Sequence, residues 1–207
     1  MLTVRNLHIE YNSKTIVRDL SFQVADGEVV CLRGESGCGK TSILRAVLGY
    51  IDYSGTIELD SAVMNERTTA GLRQQIAYVP QEFVMPFDTV GEMIHSVMDL
   101  RANSLQPCSK DLLMTAWSQL ALDPSLYDKQ ARELSGGQRQ RIMLSIAGML
   151  RKRLLLVDEP TSALDADTTR LVAQYIHRLA HEQHIPVLAV SHSDIFAQQC
   201  NKIIDIP

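Results

Sequence analysis

The run "GESGCGKT" at residues 34–41 decides the fold. It fits the pattern G-x-x-x-x-G-K-[ST], with Gly34, Gly39, Lys40 and Thr41 at the fixed positions. Glycines there let backbone N–H groups turn inward around phosphate oxygens. The lysine adds a point charge at the outer phosphates, and the threonine hydroxyl can ligate Mg²⁺. Context gives the pattern its weight: an apolar run, "EVVCLRG" (28–34), leads into it like a buried strand, and "KTSILRAVLGY" (40–50) leaves it with helical spacing. Gly34, Glu35, Ser36, Gly37, Cys38, Gly39, Lys40, Thr41 and Ser42 are therefore read as one phosphate-binding loop.

Working outward, three more apolar runs stop abruptly at polar residues. "QIAYVPQ" (75–81) stops at Pro80-Gln81, "LLLVDEP" (154–160) at Asp158-Glu159, and "PVLAVSH" (186–192) at Ser191-His192. Apolar runs without alternation are what strands covered on both faces look like, which predicts a central parallel sheet. In such sheets the ligand site lies beyond the carboxyl ends of the strands. All four runs deliver their polar residues to that edge. Asp158 can hold a metal directly or through water, and Glu159 beside it is placed to orient an attacking water.

Other segments read differently. "TVRNLHIEYNSKTIVRDLSFQV" (3–24) and "GTIELD" (55–60) alternate, with turn signals at Asn12-Ser13 and Asp26-Gly27, which predicts a small antiparallel sheet beside the parallel one. Within 82–145, "DTVGEMIHSVMDL" carries a Thr89/Glu92 capping box. "SKDLLMTAWSQLAL" then places Leu112, Leu113, Ala116, Trp117 and Leu120 at helical spacing. "DADTTRLVAQYIHRLAHEQ" (165–183) gives another helix with Asp165 or Asp167 as cap. The reading is a single α/β domain over 1–207. Residues 1–81 and 146–207 form a P-loop NTPase core with a mainly parallel sheet and an N-terminal antiparallel β subdomain, and 82–145 form an inserted helical lobe.

A second helix start with the makings of a phosphate cradle lies at "ELSGGQRQ" (133–140), although the chain has one complete Lys/Mg²⁺ constellation. With "LSGGQRQR" at 134–141, Gln81 in "YVPQE", "SALD" at 162–165 and His192 in "VSHSD", the chain resembles the nucleotide-binding subunit of ATP-binding cassette (ABC) transporters over essentially its whole length. The resemblance implies an ATPase that binds ATP and Mg²⁺. It also implies that two cassettes, identical or homologous, dimerise head to tail, each signature helix capping the γ-phosphate on the partner's P-loop. Ser135, Gly136, Gly137 and Gln138 would then serve a neighbour's ATP, and Asp165 of the D-loop would cross the interface. Gln81 of the Q-loop would contact Mg²⁺ or the attacking water, and His192 would hydrogen-bond the γ-phosphate. Tyr11 stands where the family places an aromatic that stacks on adenine. The family works at the cytoplasmic side of integral membrane permease subunits, so the expected location is peripheral, on the inner face of the cell membrane. The apolar stretch "EFVMPFDTVGEM" (82–93) is the expected groove for a partner's coupling helix.

Composition excludes other classes. The net charge is -4, with 45% hydrophobic and 21% charged residues, so no nucleic-acid footprint is expected. No apolar run approaches the ~20 residues needed to span a bilayer. The four cysteines, Cys31, Cys38, Cys108 and Cys200, show no metal-like spacing. His177, His181 and His184 lie on one face of the last long helix and are read as a solvated surface. Two rivals share the P-loop: a soluble cassette acting on DNA or ribosomes, and a kinase-like enzyme. The first lacks a coiled-coil insertion or basic arm here, and the second would leave "LSGGQRQR" without a task.

Overall fold

In the computed structural model, residues 1–82, 87–103 and 109–207 are described. The chain opens with a hairpin of β1 (Leu2–Tyr11) and β2 (Lys14–Val24). Asn12 and Ser13 both take positive φ, 49° and 60°, as a two-residue hairpin turn requires. Then come β3 (Val29–Arg33), α1 (Lys40–Val47), β4 (Ser54–Leu59), β5 (Ala62–Val63), α2 (Thr69–Arg73) and β6 (Ile76–Val79). Three helices follow: α3 (Val90–Met98), α4 (Lys110–Gln119) and α5 (Gly136–Met149). The chain closes with β7 (Leu154–Asp158), α6 (Ala166–Gln183), β8 (Val187–Val190), α7 (Asp194–Ala197) and β9 (Lys202–Asp205).

Two sheets result. β2-β1-β4-β5 is antiparallel, and β6-β7-β8-β3-β9 is parallel throughout. The parallel strands read as unbroken apolar runs because successive residues serve opposite cores. Val29, Cys31, Leu155, Val157, Val187 and Ala189 pack with α3, α4, α5 and α6 on one face. Val30, Leu32, Leu154, Leu156, Leu188 and Val190 pack with α1 and the antiparallel sheet on the other. A strand with both faces covered has no polar register to show.

Helices α3 and α4 start where the sequence signals them. Thr89 and Glu92 form a capping box on α3, and the Ser109 hydroxyl accepts from Leu112 N on α4. Trp117 is fully buried and donates from its indole Nε1 to Ser145 Oγ on α5 at 3.1 Å, which ties the two helices. A satisfied buried bond of this kind contributes about 1 kcal/mol, and leaving it unmade costs more. Two expectations need correction. Leu112 is 46% exposed, so only Leu113, Ala116, Trp117 and Leu120 of its stripe reach the core. The parallel sheet also has a fifth strand, β9, paired with β3 from Val30↔Lys202 to Arg33↔Asp205. Of the expected apolar groove, Phe83, Val84 and Met85 lie outside the described residues, while Phe87 packs half-buried against the core. Among the described residues no helix is long and apolar enough to cross a membrane.

Candidate functional site

The loop between β3 and α1 is shaped by glycine where glycine is needed. Gly39, the N-cap of α1, has φ 99°, and a Cβ there would sit 2.7 Å from Ile16 Cγ2. Any side chain would therefore push the loop off β2. The first turn of α1 holds no acid and the N-cap supplies no side-chain acceptor. Its leading N–H groups and the positive end of the helix dipole thus remain available to an anion. Lys40 is 7% exposed and folds back, donating from Nζ to the carbonyls of Gly34 at 2.9 Å and Glu35 at 2.7 Å. Its charge is held inside the loop that the N–H groups surround.

Asp158 ends β7 and Glu159 follows it, at the same sheet edge. Thr41 donates from Oγ1 to Asp158 Oδ1 at 3.2 Å, and Tyr78 donates from its hydroxyl to Oδ2 at 3.4 Å. Burial raises the Asp158 pKa, against the lowering effect of the Thr41 hydrogen bond. Burial and the neighbouring carboxylate push the Tyr78 phenol up to about 12. A buried carboxylate beside a hydroxyl is a hard oxygen donor set that fits Mg²⁺, and a cation there would offset the cost of burying the charge.

Glu159 takes φ 49°, unusual for a non-glycine residue, which turns its side chain out of the strand line. Its carboxylate meets His192 twice: Oε2 lies 2.9 Å from His192 Nδ1 and accepts from His192 N at 3.4 Å. The partners differ in exposure, 9% for Glu159 and 67% for His192, so the imidazole covers the carboxylate from the solvent side.

These groups border one cleft of about 980 Å³. It brings together Tyr11, Gly34, Glu35, Ser36, Gly37, Gly39, Lys40, Thr41, Ser42, Gln81, Glu159 and His192. Tyr11 stands 71% exposed at its rim, at the hairpin tip. Cys38 and Asp158 lie beneath rather than along it, reached through Lys40 Nζ, 3.7 Å from Cys38 Sγ, and through Thr41. Tyr78, Ile16, Arg45 and Asp52 are additions that sequence reasoning missed. For Tyr78 there was a signal, since it is the one polar-tipped residue inside the apolar run "IAYV".

Ser135, Gly136, Gly137, Gln138 and Asp165 do not border this cleft. Ser135 caps α5 in a box with Gln138: Gln138 N donates to Ser135 Oγ at 3.1 Å, and Ser135 N donates to Gln138 Oε1 at 2.9 Å. Ser135 and Gly136 are exposed. Gly137 is buried against the D-loop, where a Cβ would come 2.6 Å from Leu164 Cδ2 and 3.2 Å from the Ala163 carbonyl oxygen. Its small size thus serves packing within its own chain. Asp165 caps α6, accepting from Thr168 N at 2.8 Å, and the Thr168 hydrogen bonds lower its pKa.

Residues 17–162 match the family model for ABC transporters. The chain belongs to that family. A putative peptide import ATP-binding protein of Brucella ovis is 32% identical over 216 residues, covering 99% of this chain and 68% of the relative. The probable iron export ATP-binding protein FetA of Escherichia coli K12 is 30% identical over 207 residues, covering 100% of this chain and 91% of the relative. Among solved structures, the dimeric post-hydrolysis state of the ATP-binding cassette MJ0796 with ADP and Pi superposes with a TM-score of 0.83 at 22% identity, over 100% of this chain and 94% of that one. The fold is thus that of the ABC cassette, and the chain is an ATP-hydrolysing subunit of an ABC transporter.

Proposed function

We propose that this cassette hydrolyses MgATP in a head-to-tail pair with a second ABC subunit, and that the pair drives membrane permease subunits from the inner face of the cell membrane. One observation carries the pairing. The N-terminus of α5 exposes Ser135 and Gly136, yet none of residues 134–138 borders the cleft of its own Lys40. An exposed helix start with its serine hydroxyl proton still free to donate is an anion site in want of an anion from elsewhere.

In the pair, the backbone N–H groups after Gly34 and the Lys40 ammonium bind the phosphates, while Tyr11 stacks on adenine. Thr41, Asp158 and Gln81 hold Mg²⁺, which when bound neutralises phosphate charge. Glu159 orients the attacking water and accepts its proton as the bond between the γ-phosphorus and the bridging oxygen breaks. His192 holds the Glu159 carboxylate in place and donates toward the γ-phosphate. Ser135, Gly136, Gly137 and Gln138 close the partner's site, and Asp165 lies at the interface. Residues 82–145 form the lever that carries the motion to the permease.

Asp158→Asn tests the metal assignment. The amide keeps the Thr41 contact but gives up the charge. The Mg²⁺ concentration for half-maximal hydrolysis should rise at least about tenfold, with turnover falling about 10²-fold at fixed Mg²⁺. An unchanged Mg²⁺ requirement would remove Asp158 from the site. Affinity purification from detergent-solubilised membranes tests the setting. An integral membrane protein with apolar spans should co-purify in stoichiometric amount, and recovery of ribosomes or nucleic acid in its place would contradict the assignment.

A further inference from the structure

Helix α5 reaches the segment around Gln81 through Gln140, and its neighbour Arg139 is left unsatisfied. Gln140 is 7% exposed and donates from Nε2 to the Pro80 carbonyl at 3.4 Å. Arg139, next to it, has its Nε buried with no hydrogen-bond partner. The other arginine of the motif is engaged: Arg141 donates from Nε to the Gly137 carbonyl at 3.2 Å and from Nη1 to the carbonyls of Leu120 and Ala121, at 2.7 and 3.0 Å, closing the end of α4. The two arginines of "RQR" thus differ in kind.

Arg139 borders a second cleft of about 590 Å³. Gln81 and Glu82 form one wall, Arg139 and Gln140 another, and Ser162 and Ala163 a third. Among the described residues lining it, Arg139 is the one cation and Glu82 the one anion. Glu82 is exposed, and no ion pair between the two is formed. A guanidinium N–H shut away from water without an acceptor is unfavourable, and a carboxylate lining the same cleft is the partner that relieves it best.

We propose that Arg139 is a positioning residue for the Q-loop: as the gap between α5 and Gln81 narrows in the working state, its guanidinium pairs with the Glu82 carboxylate. With Gln140 already holding Pro80, α5 then grips both neighbours of Gln81 and fixes that side chain in the ATP cleft. The same helix is capped by Ser135, so the pair links the Q-loop of one site to the helix end that closes the other. This rests on the reading of Gln81 given under Proposed function.

A charge swap tests it. Glu82→Arg and Arg139→Glu should each lower kcat about tenfold with ATP affinity unchanged, and the double variant Glu82→Arg/Arg139→Glu should regain most of that loss. Arg139→Gln, which is shorter and uncharged but stays polar and is gentler on folding than a charge reversal, should lose kcat like Arg139→Glu, while Arg139→Lys should keep an intermediate rate. A double variant no faster than the slower single, or an Arg139→Gln variant with full kcat, would overturn the pair; a free anion bound by Arg139 would give the first of these results. Gln81→Ala, measured alongside, separates the two levels. Lost turnover there with no rescue in the swap sinks the ion pair alone, whereas full turnover in Gln81→Ala sinks the Q-loop reading on which it rests.

Discussion

Glu159→Gln is expected to lower ATP turnover by about 10³-fold while leaving ATP affinity within about twofold of wild type. The amide has the shape of the carboxylate and can still accept from His192 N, where Glu159 Oε2 now accepts at 3.4 Å. What it lacks is the charge that draws a proton from water. In the proposed site the phosphate contacts would be made elsewhere, by Lys40 and the loop from Gly34, so binding should survive. The positive φ of Glu159, 49°, is backbone geometry that Gln tolerates as well as Glu does. Phosphate release measured under saturating MgATP, beside equilibrium binding of a fluorescent nucleotide, separates the two effects. A variant retaining a tenth or more of wild-type turnover would remove Glu159 from the chemistry.

Ser135→Arg should abolish hydrolysis just as thoroughly, with ATP affinity of the single chain nearly intact. Ser135 sits outside the cleft that holds Lys40, so a bulky cation there cannot obstruct the chain's own nucleotide. It would obstruct a partner's. The substitution also removes the N-cap of α5, worth about 0.5–2 kcal/mol, so a helix that merely frayed could imitate the result. Ser135→Asp distinguishes the two causes. Aspartate caps as well as serine does, yet it would set a carboxylate against the partner's γ-phosphate, so it should also be inactive while melting near wild type. If Ser135→Asp hydrolysed ATP normally, or if both variants lost ATP affinity in proportion to turnover, the signature helix would serve its own nucleotide or none.

Much of the parallel sheet was legible because burial on both faces leaves a continuous apolar run. The strand that escaped, β9, lies at the sheet edge, and its Lys202, Ile203 and Asp205 are exposed. An edge strand of that kind has neither a clean run nor a clean alternation to read. β5, two residues long, is shorter than any periodicity. The capping box at Thr89 was legible because it closes within four residues, whereas Ser135, read as part of a phosphate cradle, also caps α5 in a box with Gln138. Contacts across many residues were not. That Gly137 makes room for Leu164 depends on where α5 crosses the D-loop, and that Tyr78 steadies Asp158 depends on β6 lying beside β7. The contrast between Arg139 and Arg141 is a tertiary fact as well, since two arginines two residues apart look alike until one finds carbonyls and the other does not.

In the proposed pair, each chain holds half of each of two reaction chambers. Light-scattering mass across a size-exclusion column reads the pairing directly, with Glu159→Gln as the non-hydrolysing form and MgATP in every buffer. A mass of twice the 23.1 kDa chain for Glu159→Gln, falling back to the single-chain mass in Glu159→Gln/Ser135→Arg, is the predicted pair of results. A Glu159→Gln protein that binds ATP to saturation and still elutes at 23.1 kDa would contradict the account.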